Sequence, residues 1–106
     1  MEKVIVLGLT ECKYCEELKE ELKKEVIPYK FLDVELKQNT ALADRMEALL
    51  KTQHYPMIII ERISGSVYLY RADSLNEAKE VPVSFATKVG CPTINSMVAV
   101  AKKYIK

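Results

Sequence analysis

The sequence has little net charge, few cysteines, no long apolar run and no internal repeat, and each shortage excludes a class of function. Sixteen Lys and Arg face fifteen Asp and Glu, for a formal net charge of +1. A near-neutral chain lacks the bulk positive field that phosphate backbones and anionic membrane surfaces attract, so neither nucleic acid nor membrane is expected as a partner. A membrane helix needs about 20 consecutive apolar residues, and nothing in the chain approaches that. The apolar run nearest the N-terminus, Val4 to Leu9, is six residues long. A signal peptide has a longer apolar region after a basic one, then a small-residue cleavage site. No targeting segment is therefore expected, and the expected location is the cytoplasm. Three cysteines are too few for a secreted disulfide scaffold. In a reducing compartment, a close Cys pair points to catalysis or metal binding rather than to a structural cross-link.

What is present is an ordinary globular composition. The chain has 106 residues, 49% of them apolar and 29% charged, which suits one domain over residues 1–106 with a core that needs neither disulfide nor metal to form. Val4-Ile5-Val6-Leu7-Gly8-Leu9 reads as a strand buried on both faces. From Lys13 to about Val26 the apolar positions Cys15, Leu18, Leu22 and Val26 share one face of a helix. Tyr29 to Val34 reads as a second strand. A second helix, capped by Asn39 or Thr40, reaches about Thr52 with Leu42, Met46, Leu49 and Leu50 inward. Met57-Ile58-Ile59-Ile60 and Val67 to Tyr70 flank Ser64-Gly65-Ser66 as an antiparallel hairpin. Ser74-x-x-Glu77 has the form of a capping box opening a short helix to about Glu80. From Glu80 to Pro92 the breakers Pro82, Gly90 and Pro92 obscure any period. A last helix runs from about Thr93 to Ile105, with Ile94, Met97, Val98, Ala101 and Ile105 on its inner face. The order β-α-β-α-β-β-α-α predicts an α/β fold, a mixed four-stranded sheet flanked by helices.

Cys12-Lys13-Tyr14-Cys15 falls where the first strand ends and the first helix begins. A cytosolic C-x-x-C beside a βαβ pattern reads as a redox dithiol. A thiol at a helix N-terminus faces unpaired backbone N–H groups and the positive end of the helix dipole, both of which favour the thiolate. Cys12, at the exposed tip, is expected to attack. Cys15, on the apolar face with Leu18 and Leu22, is expected to resolve the mixed disulfide.

These residues resemble a glutaredoxin, within the thioredoxin-fold superfamily. Cys12-Lys13-Tyr14-Cys15 is similar to the family's Cys-Pro-Tyr-Cys. His54-Tyr55-Pro56 ahead of Met57-Ile58-Ile59-Ile60 resembles its Thr-Val-Pro, whose proline is cis and lies against the active disulfide. Tyr70-Arg71-Ala72-Asp73-Ser74 is the best match to its Gly-Gly-x-Asp turn, keeping Asp73 and Ser74 but neither glycine. The family's lysine before the first cysteine is Leu9 here, and its proline between the cysteines is Lys13. The resemblance implies a thioredoxin-like fold and a glutathione-dependent thiol–disulfide oxidoreductase that serves electron transport and redox homeostasis. It implies catalysis by Cys12 and Cys15, and glutathione or peptide binding by Lys13, Tyr14, Tyr55, Pro56, Asp73 and Ser74. Glutathione is then a co-substrate, with no tightly bound cofactor and no metal. The expected partners are glutathione and disulfide-containing proteins, ribonucleotide reductase being one option, and the expected state is a monomer.

Three alternatives stay open at this level. Val81-Pro82-Val83-Ser84-Phe85 also resembles the Val-Pro strand, although Pro82 to Gly90 leaves little chain for two strands and a turn, so Pro56 is preferred. A flavoprotein reductase could replace glutathione as the electron source of a thioredoxin-like donor. Cys12, Cys15, His54 and Cys91 could instead ligate zinc in a binding module.

Overall fold

Val4, Val6 and Leu7 are buried in Lys3–Gly8 (β1), which lies inside the sheet of a computed structural model describing residues 3–72, 80–84 and 86–105. A strand covered on both faces needs apolar residues at successive positions, and β1 supplies them. Lys30–Asp33 (β2) pairs with it in parallel, and Met57–Glu61 (β3) pairs antiparallel on its other side. Ser66–Arg71 (β4) completes the hairpin with β3. The four strands, the parallel β1–β2 pair and the β3–β4 hairpin are as expected; the antiparallel β1–β3 pairing that joins them is added by the structure, and the mixed α/β, thioredoxin-like class holds.

The sheet is larger than expected. Glu80–Val83 (β5) and Ala86–Cys91 (β6) extend it to six strands, in the order β2-β1-β3-β4-β6-β5. β6 runs parallel to β4, and β5 is the outer, antiparallel partner of β6. The breakers in this stretch are tolerated for a physical reason. Pro82 lies in an edge strand, which pairs on one side only. Two strands fit because only residues 84 and 85 separate them. The short helix expected from Ser74 to about Glu80 falls mostly outside the described residues; Glu80 itself opens β5.

Helices cover both faces. Lys13–Lys24 (α1) and Ile94–Tyr104 (α3) lie on one face, where Leu18, Leu22, Ile94, Met97, Val98 and Ala101 pack with Val4, Val6, Ile58, Ile60, Val67, Leu69 and Val89. Thr93 caps α3: its hydroxyl accepts from the Ser96 N–H at 3.1 Å, and Ser96 Oγ accepts from the Thr93 N–H at 3.1 Å. A 3-10 turn over Lys37–Asn39 leads into Thr40–Leu50 (α2) on the other face, where Met46 and Leu50 meet Leu7, Met57 and Ile59.

α1 ends earlier than its apolar spacing suggested. Val26 is 85% exposed at φ 57°, and Ile27 takes the inward place. The Ile27 N–H reaches the Leu22 carbonyl and the Val26 N–H reaches that of Lys23. This is a Schellman ending with a valine where glycine is usual.

Candidate redox site

β1 delivers the chain to Cys12, which is the N-cap of α1 with extended backbone (φ −125°, ψ 114°). Its Sγ accepts the Cys15 backbone N–H at 3.2 Å. Cys12 and Cys15 form a disulfide, with their Cα atoms 5.1 Å apart. Their surroundings differ. Cys15 is wholly buried against Leu7, Met57 and Tyr55, while Cys12 is half-buried at the rim. Only one of the two sulfurs is therefore open to an incoming group.

Gly8 makes room for this arrangement, although in the sequence it is inconspicuous inside an apolar run. A Cβ at Gly8 would lie 2.8 Å from Cys15 Sγ and 3.0 Å from Phe31 Cε1. A glycine inside a strand, just ahead of a Cys pair, is the signal of that close approach.

The second wall of the site is the loop entering β3. The Tyr55–Pro56 bond is cis, the sole cis bond among the described residues, and both residues are buried. Tyr55 Oη donates to Glu47 Oε2 at 2.6 Å, which ties the loop to α2. Burial first, and then the Glu47 carboxylate, push the Tyr55 phenol pKa up, so it stays protonated. The alternative placement of this motif at Pro82 does not hold, since Pro82 lies in the outer strand β5.

The third wall is the end of β4. Arg71 donates from Nη1 to the Tyr55 carbonyl at 3.1 Å, and its guanidinium carbon stands 4.0 Å from the centroid of the Tyr14 ring. Tyr14 is 44% exposed, and Lys13 also faces solvent. Arg71 lies inside the Tyr70–Ser74 segment, where the resemblance points to its neighbours Asp73 and Ser74 instead. The available signal was a large cation standing where the resemblance has glycine. Asp73 and Ser74 lie outside the described residues. The structure thus brings Cys12, Cys15, Tyr14, Tyr55 and Pro56 together, adds Gly8, Glu47 and Arg71, and leaves Lys13 at the exposed edge.

The alternative zinc set is not assembled. Cys91 is buried in the cluster on the α1–α3 face, whereas Cys15 belongs to the cluster on the α2 face, and His54 is exposed. Among the described residues no three His, Cys, Asp or Glu side chains converge as a metal site. Burial pushes the Cys91 thiol up to about 11, with a Ser96 hydrogen bond opposing, which keeps it a neutral, unreactive packing group.

Among the described residues no helix is long and apolar enough to cross a membrane. The family model for glutaredoxin matches residues 4–63, which hold both cysteines and the cis proline. No curated protein matches the chain. No solved structure matches it.

Proposed function

The chain belongs to the glutaredoxin family and is a thiol–disulfide oxidoreductase, and from that premise we propose that Cys12 is its nucleophile, Cys15 its resolving thiol and glutathione its co-substrate. The observation that carries this reading is the unequal burial of the two sulfurs at the head of α1. Reduction of the disulfide leaves Cys12 at the helix N-cap with the Cys15 N–H aimed at its sulfur, a setting that favours the thiolate.

The Cys12 thiolate attacks one sulfur of a substrate disulfide, forms a mixed disulfide and expels the other sulfur as a thiolate, which takes up a proton. The Cys15 thiolate then attacks Cys12 Sγ and expels the second substrate thiolate. The substrate gains two electrons, and the Cys12–Cys15 disulfide forms. Two glutathione thiols reverse this. The first forms a mixed disulfide at Cys12 and frees Cys15, and the second releases oxidised glutathione and frees Cys12.

Substrates in this reading are protein disulfides, that of a ribonucleotide reductase among them, and glutathione mixed disulfides. Support for Tyr55 is that it lies in the cluster on which Cys12 packs, with Pro56 next to it and Tyr14 next to Cys15 in the chain; Lys13, Asp73 and Ser74 are assigned to binding by resemblance alone. The low cysteine count fits action in the reducing cytoplasm, and the proposed state is a monomer. One observation favours a second electron source, a flavoprotein reductase: Tyr70 and Arg71 stand where the resemblance has two glycines, and Arg71 reaches across the site.

The deciding experiment is turnover of a disulfide substrate with glutathione and glutathione reductase, run beside thioredoxin reductase. The reading expects turnover with the glutathione couple. Turnover with thioredoxin reductase alone contradicts it.

A further inference from the structure

We infer that Arg71 is a specificity-determining residue that admits protein disulfides at Cys12 in preference to the glutathione moiety of a mixed disulfide. The inference rests on the proposed chemistry of Cys12 and concerns which disulfides reach it.

Cys15 is wholly buried, so an incoming disulfide must meet Cys12 at the rim. Cys12 packs on the cluster that holds Tyr55, and Tyr14 is two residues along at the head of α1. Arg71, the last residue of β4, sends its side chain between them. Its guanidinium lies 4.0 Å from the Tyr14 centroid and donates to the Tyr55 carbonyl at 3.1 Å. A planar cation on an aromatic face that also forms a charge-assisted hydrogen bond is held by two contacts at once. It therefore occupies the space over the Tyr55 main chain and engages the carbonyl there.

Substrates differ in how much this matters. The glutathione moiety is a short, flexible peptide. Its small size confines its contacts to the group of atoms around the reacting sulfur, where the Tyr55 carbonyl is a main-chain acceptor. A group that fills that space and uses that acceptor removes much of what it can bind. A folded protein presents its disulfide on a large surface, and contacts beyond the groove compensate. Arg71 thus weakens the smaller substrate more than the larger one.

The test is a single-turnover comparison. Pre-reduced protein is mixed with excess oxidised insulin, or with the mixed disulfide of glutathione and 2-mercaptoethanol. Oxidation of the Cys12–Cys15 pair is followed as a function of substrate concentration. Arg71→Ala is expected to raise the ratio of second-order rate constants, glutathione mixed disulfide over insulin, by about tenfold, through tighter apparent binding of the smaller substrate. Arg71→Lys keeps the charge without the planar fork. It is expected to move the ratio the same way by a smaller factor, and it decides the matter if the alanine variant does not fold. An unchanged ratio overturns the inference, as does a slower reaction with the glutathione mixed disulfide, which would make Arg71 an anchor for that ligand. Failure of the unaltered protein to react with either substrate refutes the oxidoreductase chemistry itself, a result distinct from an unchanged ratio.

Discussion

At the scale of single residues, the site depends on what is missing at Gly8 as much as on the two sulfurs. Its absent side chain is the space that Cys15 Sγ fills, and a methyl there would sit 2.8 Å from that sulfur. Neither β1 nor the start of α1 can give way easily, because both are packed in the core. Gly8→Ala is therefore expected to cost about 1–3 kcal/mol, as overpacked cores do, and to make the Cys12–Cys15 pair slower to reoxidise. Denaturant melts and thiol titration check this; an unchanged midpoint and reoxidation rate would contradict it. Cys91 is a spectator for the opposite reason. Its folded thiol pKa, pushed up to about 11 by burial, lies above the ordinary value of 9.0. The unfolded chain therefore loses that proton first. The stability linked to Cys91 is complete below about pH 9 and is lost as pH rises toward about 11. Cys91→Ala is expected to show a shallower loss of stability between those two values in denaturation melts. A slope equal to that of the unaltered protein would contradict the assignment.

At the scale of elements, legibility followed how each segment meets its neighbours. β1, the β3–β4 hairpin and α3 were readable because their apolar spacing matches their burial. The apolar spacing overruns the end of α1, since Val26 extends the helical spacing yet sits in a left-handed turn. A β-branched residue pays about 1–2 kcal/mol in that conformation, and Val26 buries little in return. Val26→Gly is expected to raise stability by about 1 kcal/mol, read as a higher melting temperature; a lower one would contradict the Schellman description. β5 and β6 were illegible because they bury little apolar surface and with no period of two: β5 is exposed from Glu80 to Pro82, and β6 buries only the consecutive Val89, Gly90 and Cys91. Lys88 lies in β6, yet its ammonium donates to the Leu49 carbonyl at 2.7 Å. It joins the added strand to the C-terminal end of α2, where the helix dipole favours a cation. A lysine satisfied that way looks, in sequence alone, like a loop residue.

At the scale of the whole molecule, the redox pair sits at one end of the sheet, where the head of α1, the loop into β3 and the end of β4 converge. The sequence located two of these three contributions, because Cys12-Lys13-Tyr14-Cys15 and Tyr55-Pro56 each carry a recognisable local pattern. The third, Arg71, was legible only as a departure from the resemblance. Its reach to Tyr14 and Tyr55 depends on how β4 is placed, and no spacing rule encodes that. The near-zero net charge now has a more specific meaning. No global field steers a substrate, so selection falls to the few groups around Cys12. The division of labour between the two sulfurs is the claim on which the rest depends, and trapping tests it most directly. Each single variant, Cys12→Ser and Cys15→Ser, is reduced, exposed to excess disulfide substrate, and peptide-mapped by mass spectrometry. The account predicts a stable mixed disulfide on Cys12 in Cys15→Ser and no adduct or turnover in Cys12→Ser. An adduct on Cys15 with turnover retained in Cys12→Ser, and none in Cys15→Ser, would contradict it.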